Sequence, residues 1–294
     1  MECLRFNYFE RLIVNRASPW ANPVLLVAPA IVFLVLGFLM PSIWFFVSAI
    51  REIGDFTEIV DHFATTLTSK VFLTTLFTTN WIALLVTMVC LIAGYPIAYY
   101  LTQSTRLSFS VVLFCIIVPY FTSVIVRTYS WMILLGRNGL INQFLIGSGL
   151  TDQPLPLLYN KVGILIGMSY VLMPYMILTL FSAMKAIDPS YLRAAHALGA
   201  SPYYAFRHVY LPLTSHGIIS GSLIVFILSI GFFITPALMG GPSDVMIAML
   251  IERSVEIMFD WPSAAAMSLV LLIVTLILYA IYYRVTNVQR MMGA

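Results

Sequence analysis

The chain has 294 residues, of which 61% are hydrophobic and only 9% charged, with a mean hydropathy of +0.97. A soluble globular domain runs at about 45–50% apolar and about 25% charged, so these charges cannot cover a water-exposed surface and a water-soluble fold is excluded. The net charge of +3 matters through where its charges fall, and Cys3, Cys90 and Cys115 show no C-x-x-C spacing, so they read as small apolar packing residues rather than a zinc site or disulfide framework.

Arg5, Arg11 and Arg16 precede the first apolar run. That run is too long for a signal-peptide core and lacks a small-residue cleavage site, so it reads as a retained span. A spanning helix needs roughly 20 largely apolar residues. Six segments qualify: 24–50, 71–100, 109–135, 162–182, 217–240 and 263–283. The expected fold is all-α, a polytopic membrane protein with six transmembrane helices. A single transmembrane domain covers 24–283, with an N-terminal segment 1–23 and a C-terminal tail 284–294. An even number of spans puts both termini on one side. That side holds nine basic residues and the other five, with Arg127 inside the third span. The excess of Lys and Arg marks the cytoplasmic side, so both termini are expected there.

The third span contains Pro119, which removes a backbone donor and can kink the helix, followed by Tyr120, Thr122 and Ser123. Arg127 is a charge deep in a span. Such a residue faces protein or a water-filled cavity, or snorkels from a position near the outer end; structural pairing and a substrate or gating role both remain open. Tyr120, Thr122, Arg127, Tyr129 and Tyr170 are candidate pathway residues, and Trp131 and Tyr175 offer further aromatic faces or hydroxyls. Packing and interfacial anchoring are the alternative roles for each aromatic.

The loop 183–216 is more patterned than a connector. Asp188-Pro189 starts a short helix over 191–198, Gly199 ends it, and Ser201-Pro202 starts a second helix over 203–210 that Leu211-Pro212 stops or redirects. Ala194, Ala195 and Gly199 permit close approach of another surface. The pattern fits either a docking element for a cytoplasmic partner or a helix pair lying in the headgroup region. In the fifth span Gly231 and Thr235-Pro236 mark a break of the kind found where a helix lines a cavity, with Phe232 and Phe233 as candidates for a steric gate or for ordinary packing.

The stretch RAAHALGASPYYAFRHVYLPLTSHGI resembles the coupling loop of ABC-importer permeases, whose pattern is Glu-Ala-Ala, three residues, Gly, a spacer and Ile/Val-x-Leu-Pro. Ala194, Ala195, Gly199, Val209, Leu211 and Pro212 fall in the matching places; Arg193 stands where the family usually has Glu, and His216 where a Pro often precedes the glycine. PYFTSVIVRTYSWMILLGRNGLIN and GSLIVFILSIGFFITPALMGG resemble the spermidine/putrescine-type members of that family. The resemblance implies a type I importer permease of the bacterial inner membrane. It further implies that Arg193, Ala194, Ala195, Gly199, Ala200, Val209, Leu211 and Pro212 couple to ATPase subunits. The implied partners are two such ATPases, a second and different permease, and a periplasmic binding protein that selects the solute, a polyamine or related compound.

No G-x-x-x-x-G-K-[ST] loop is present. His62, His196, His208 and His216 have no metal-ligand spacing, and no catalytic constellation stands out, so the chain is expected to be no enzyme and to bind no cofactor itself, ATP being bound by its partners. Basic residues are few and scattered, against nucleic-acid binding. A polyamine is a cation, yet no Asp or Glu occurs between Asp61 and Asp152 or between Asp152 and Asp188. The alternative, an ion-coupled secondary transporter, needs coupling groups at the midplane, and the scarcity of intramembrane acids argues against it.

Overall fold

The computed structural model describes residues 23–292, so all but the last residue of the expected segment 1–23, and the last two residues of the expected tail 284–294, lie outside the described residues. The chain divides at Val60–Asp61 into two compact units. The first unit holds α1 (Pro23–Leu34), a π-helical turn (Val35–Leu39) and α2 (Met40–Ile53). Together they form one apolar rod whose candidate span, Val27–Ile53, has no buried side chain in its most hydrophobic window. A helix apolar all round is what hydrocarbon surroundings require.

The helix α3 (Phe56–Thr68) straddles the division. Then come α4 (Lys70–Gln103), α5 (Arg106–Ile117), a 3₁₀ turn (Val118–Phe121), α6 (Val124–Leu135), α7 (Leu140–Gly147) and α8 (Lys161–Lys185). The short α9 (Ser190–Ala197) and α10 (Pro202–Ala205) lead through a π-helical turn (Phe206–Tyr210) and α11 (Leu211–Leu213) into α12 (Ser215–Ile230). The chain closes with α13 (Ile234–Met239), α14 (Ile247–Glu256) and α15 (Trp261–Met292).

Four described helical stretches are long and apolar enough to span a bilayer, and two bent pairs raise the number to six. The expected spans at 24–50, 71–100, 162–182 and 263–283 correspond to Val27–Ile53, Lys70–Gln103, Lys161–Lys185 and Trp261–Arg284. The third is not continuous over 109–135. It bends by 104° between Phe121 and Val124. Pro119 supplies no N–H, Thr122 (ψ 150°) and Ser123 (ψ 138°) leave the helical region, and the Thr122 hydroxyl donates to the Pro119 carbonyl at 2.7 Å. The fifth differs too. Its helix ends at Ile230 rather than 240, and it joins Pro202–Leu213 through a 56° bend. Leu211-Pro212 therefore redirects the chain without stopping it. Pro212 lies in a first helical turn, where its missing N–H costs little.

In the second unit α4, α8 and α12 pack on one another, and α15 packs on α12 and α14. Ile82, Val86 and Cys90 of α4, Met168, Leu172 and Met176 of α8, and Val225 of α12 build the main core. Glycines set the spacing: a Cβ on Gly217 would lie 2.5 Å from the Ala183 Cβ, and one on Gly221 2.9 Å from the Met176 sulfur. Small residues at such contacts let membrane helices approach closely. Two buried threonines of α4 find carbonyls one turn back, whereas Ser169 Oγ and Ser229 Oγ are buried without a hydrogen-bond partner. Thr87 Oγ1 donates to the Ala83 carbonyl at 2.7 Å, and Thr79 Oγ1 donates to the Thr75 carbonyl while accepting from Ile247 N–H at 2.8 Å.

Candidate functional sites: a helical groove and a cavity cluster

The first site is the groove between α9 and α10. Asp188 Oδ1 accepts from Ser190 N–H at 2.8 Å and opens α9. That hydrogen bond and the Ser190 side chain hold the fully exposed Asp188 carboxyl below its usual range. Gly199 closes the helix at φ +86°, with Gly199 N–H on the His196 carbonyl and Ala200 N–H on the Ala195 carbonyl at 3.0 Å. The glycine is required by its left-handed backbone, since a Cβ there would meet no atom of the chain. Ser201 Oγ then accepts from Tyr204 N–H at 3.3 Å and starts α10.

The resulting groove encloses about 710 Å³. Ala194, Ala195, Gly199, Ala200 and Val209, all named from sequence, line it. Arg193 is exposed beside it, and Leu211 and Pro212 belong to the turn that leads into α12. Tyr191, Leu198 and Tyr204 also line it and were not singled out from sequence; Leu198, 89% exposed next to the closing glycine, is the signal that was available. The groove's second helix is keyed to the bundle by aromatic edges. Phe206 meets Tyr99 at 5.7 Å, Tyr210 meets Tyr99 at 5.2 Å, and Tyr95 OH lies 3.1 Å from Thr214 Oγ1 at the 56° bend.

The second site surrounds the break in the third span. Three cavities of about 150, 370 and 410 Å³ adjoin there, and Arg127 lines all three. Tyr120, Thr122 and Tyr170 each line two, and Phe232 lines one. The Tyr120 and Tyr175 hydroxyls are 2.6 Å apart, and the Arg127 Cζ sits 5.8 Å from the centroid of the Tyr120 ring. Trp131 meets Tyr170 edge-on at 5.4 Å, and Thr128 Oγ1 lies 3.2 Å from Thr235 Oγ1 of α13. Arg127 is 7% exposed, and its Nε has no hydrogen-bond partner.

Arg127 packs against the middle of α8. It shares its smallest cavity with Tyr170, Met173 and Ile177, which lie roughly 14–24 Å along α8 from its first residue at 1.5 Å per residue. Two candidates fall outside this cluster: Tyr129 is 50% exposed and lines none of these cavities, and Phe233 packs against the main core. The Tyr120–Tyr175 pair, formed by residues 55 apart in the chain, is the feature that spacing could not reveal.

Residues 19–290 match the family model for the binding-protein-dependent transport system inner membrane component. The chain belongs to this family. Its relatives include the spermidine/putrescine transport system permease protein PotB of Salmonella typhimurium, 34% identical over 240 residues that cover 81% of this chain and 83% of that protein. PotB of Escherichia coli K12 is 35% identical over 205 residues, 70% of this chain and 74% of that protein. Among solved structures, a chain of a bacterial ABC transporter that imports the acidic polysaccharide alginate has the same fold, with a TM-score of 0.66 at 16% identity over 94% of this chain and 99% of that one. The family's members are permease subunits without an ATPase site of their own. This chain is accordingly a multi-pass inner-membrane permease subunit of an ABC importer for a small polar solute.

Proposed function

We propose that this subunit imports a polyamine or a closely related amine, with the α9–α10 groove as its docking surface for an ATPase and the Arg127 cavities as its share of the solute path. The observation that carries the substrate class is the 34% identity over 81% of the chain to a spermidine/putrescine permease. The groove reading is supported by an apolar lining with Leu198 uncovered and by the aromatic contacts that tie its second helix to α4. Arg193, Ala194, Ala195, Gly199, Ala200, Val209, Leu211 and Pro212 are the proposed coupling segment. Tyr120, Thr122, Arg127, Tyr170 and Phe232 are the proposed path residues. Two ATPase subunits, a second permease and a periplasmic binding protein complete the importer, and both termini of this chain face the cytoplasm.

The cycle is alternating access. ATP binding draws the two ATPases together, the groove moves with them, and the 56° bend at Thr214 passes that displacement to α12. The breaks at Phe121–Val124 and Gly231 are where the third and fifth helices can rearrange. Purification from native membranes in mild detergent should recover the chain with an ATPase pair and one further permease. In liposomes that assembly should hydrolyse ATP faster when a binding protein loaded with putrescine or spermidine is added. Recovery of the chain alone in a transport-competent form would overturn the proposal.

A further inference from the structure

The described apolar helices α4 to α8, α12 and α15 contain no Asp or Glu. Arg127 nevertheless stands among them, more than nine-tenths buried, with its Nε unpartnered and its side chain lining three cavities. The Tyr120 ring faces the guanidinium, and the Tyr120–Tyr175 hydroxyl pair stands beside it. A cation removed from water needs a counter-charge and acceptors for its N–H groups, and a guanidinium is matched in shape by a carboxylate, which accepts two parallel N–H bonds. A bare amine passing along this wall would meet an uncompensated positive charge.

We infer that Arg127, with the one hydroxyl proton that the Tyr120–Tyr175 pair leaves free as a further donor, is a receptor for a carboxylate that this chain does not itself supply. The inference rests on the reading of these cavities as part of the solute path. The carboxylate comes either from an acidic side chain of the second permease, which leaves the path neutral for an amine, or from the solute, which is then an amino-carboxylate. In both cases the carboxylate closes a cation site left open by this subunit.

The test uses the complete importer, in detergent and in liposomes, with wild-type chain, Arg127→Gln and Arg127→Lys. The solutes are putrescine and 5-aminopentanoate, which replaces one amine by a carboxylate at similar length. With a carboxylate from the second permease, Arg127→Gln reduces recovery of that permease by more than about tenfold, whatever solute is present, and Arg127→Lys restores part of it. With a carboxylate from the solute, the complex assembles normally and Arg127→Gln lowers uptake of 5-aminopentanoate by more than about tenfold beyond any change in putrescine uptake. Assembly and uptake of both solutes within about twofold of wild type, where wild type itself transports, would overturn the inference and leave the path intact; a wild-type complex that transports neither solute would instead count against the path. An experimental structure of the wild-type complex with each solute reads the same question independently of how the variants fold. It should show a carboxylate within hydrogen-bond distance of the guanidinium, and a guanidinium paired only to backbone carbonyls would refute the proposal.

Discussion

Asp188 and Arg127 show what a single residue discloses. Asp188-Pro189 is legible as a helix start because the cap is local: the carboxylate reaches Ser190 N–H two residues away. Its ionised form is favoured by that backbone bond first and by the Ser190 side chain second. The folded pKa is therefore depressed below the unfolded one, so the contribution is complete at neutral pH and is lost as pH falls through the depressed value. Asp188→Ala should speed amide exchange at Ser190–Arg193 at neutral pH, and Asp188→Asn less so because its amide oxygen still accepts. Equal protection in wild type and Asp188→Ala would remove the cap. Arg127 was legible as an anomaly but not in its role. The depth of a side chain depends on the helix packed against it, and α8 lies more than thirty residues away in sequence.

At the scale of elements, proline alone does not tell a break from a continuous helix. Pro96 lies inside α4 and Pro174 inside α8, and both helices run on. Pro119 coincides with a 104° bend where Thr122 and Ser123 follow it, and the Thr122 hydroxyl takes the Pro119 carbonyl that a continuing helix would use. In α4 and α8 the residues after the proline are apolar or aromatic and offer no such alternative near the missing bond. The composition of that following turn was the overlooked signal. The glycines of α12 carry a different lesson, since sequence shows their smallness but not what they face. Gly217→Ala would place a Cβ 2.5 Å from that of Ala183, closer than methyl groups can pack, so α12 and α8 must part. Overpacking of this kind costs about 1–3 kcal/mol. Gly37→Ala meets nothing within 4 Å and should be neutral. Thermal unfolding of both variants in detergent should show a lowered transition for Gly217→Ala alone; equal transitions would mean that this contact yields without strain.

For the whole molecule the open quantity is parity. The groove is separated from the C-terminus by the bent fifth element and α15, two crossings that put them on one side. From the N-terminus it is separated by Val27–Ile53, Lys70–Gln103, the bent Arg106–Gly147 segment and Lys161–Lys185. Four crossings, the proposed topology, put the N-terminus on the groove's face of the membrane, the side to which the sequence assigns nine basic residues against five. A segment bent by 104° that turned back to its entry face would leave three, and the N-terminus would lie opposite. Chemistry can read this directly. One variant keeps Cys3 and replaces Cys90 and Cys115; a second carries Leu198→Cys, at a side chain 89% exposed, in a background with all three cysteines replaced. A membrane-impermeant thiol reagent applied to intact spheroplasts and to inverted vesicles should label both variants only in the vesicles. Labelling of the two from opposite faces would show that Arg106–Gly147 does not cross, and the six-span topology would fall with it.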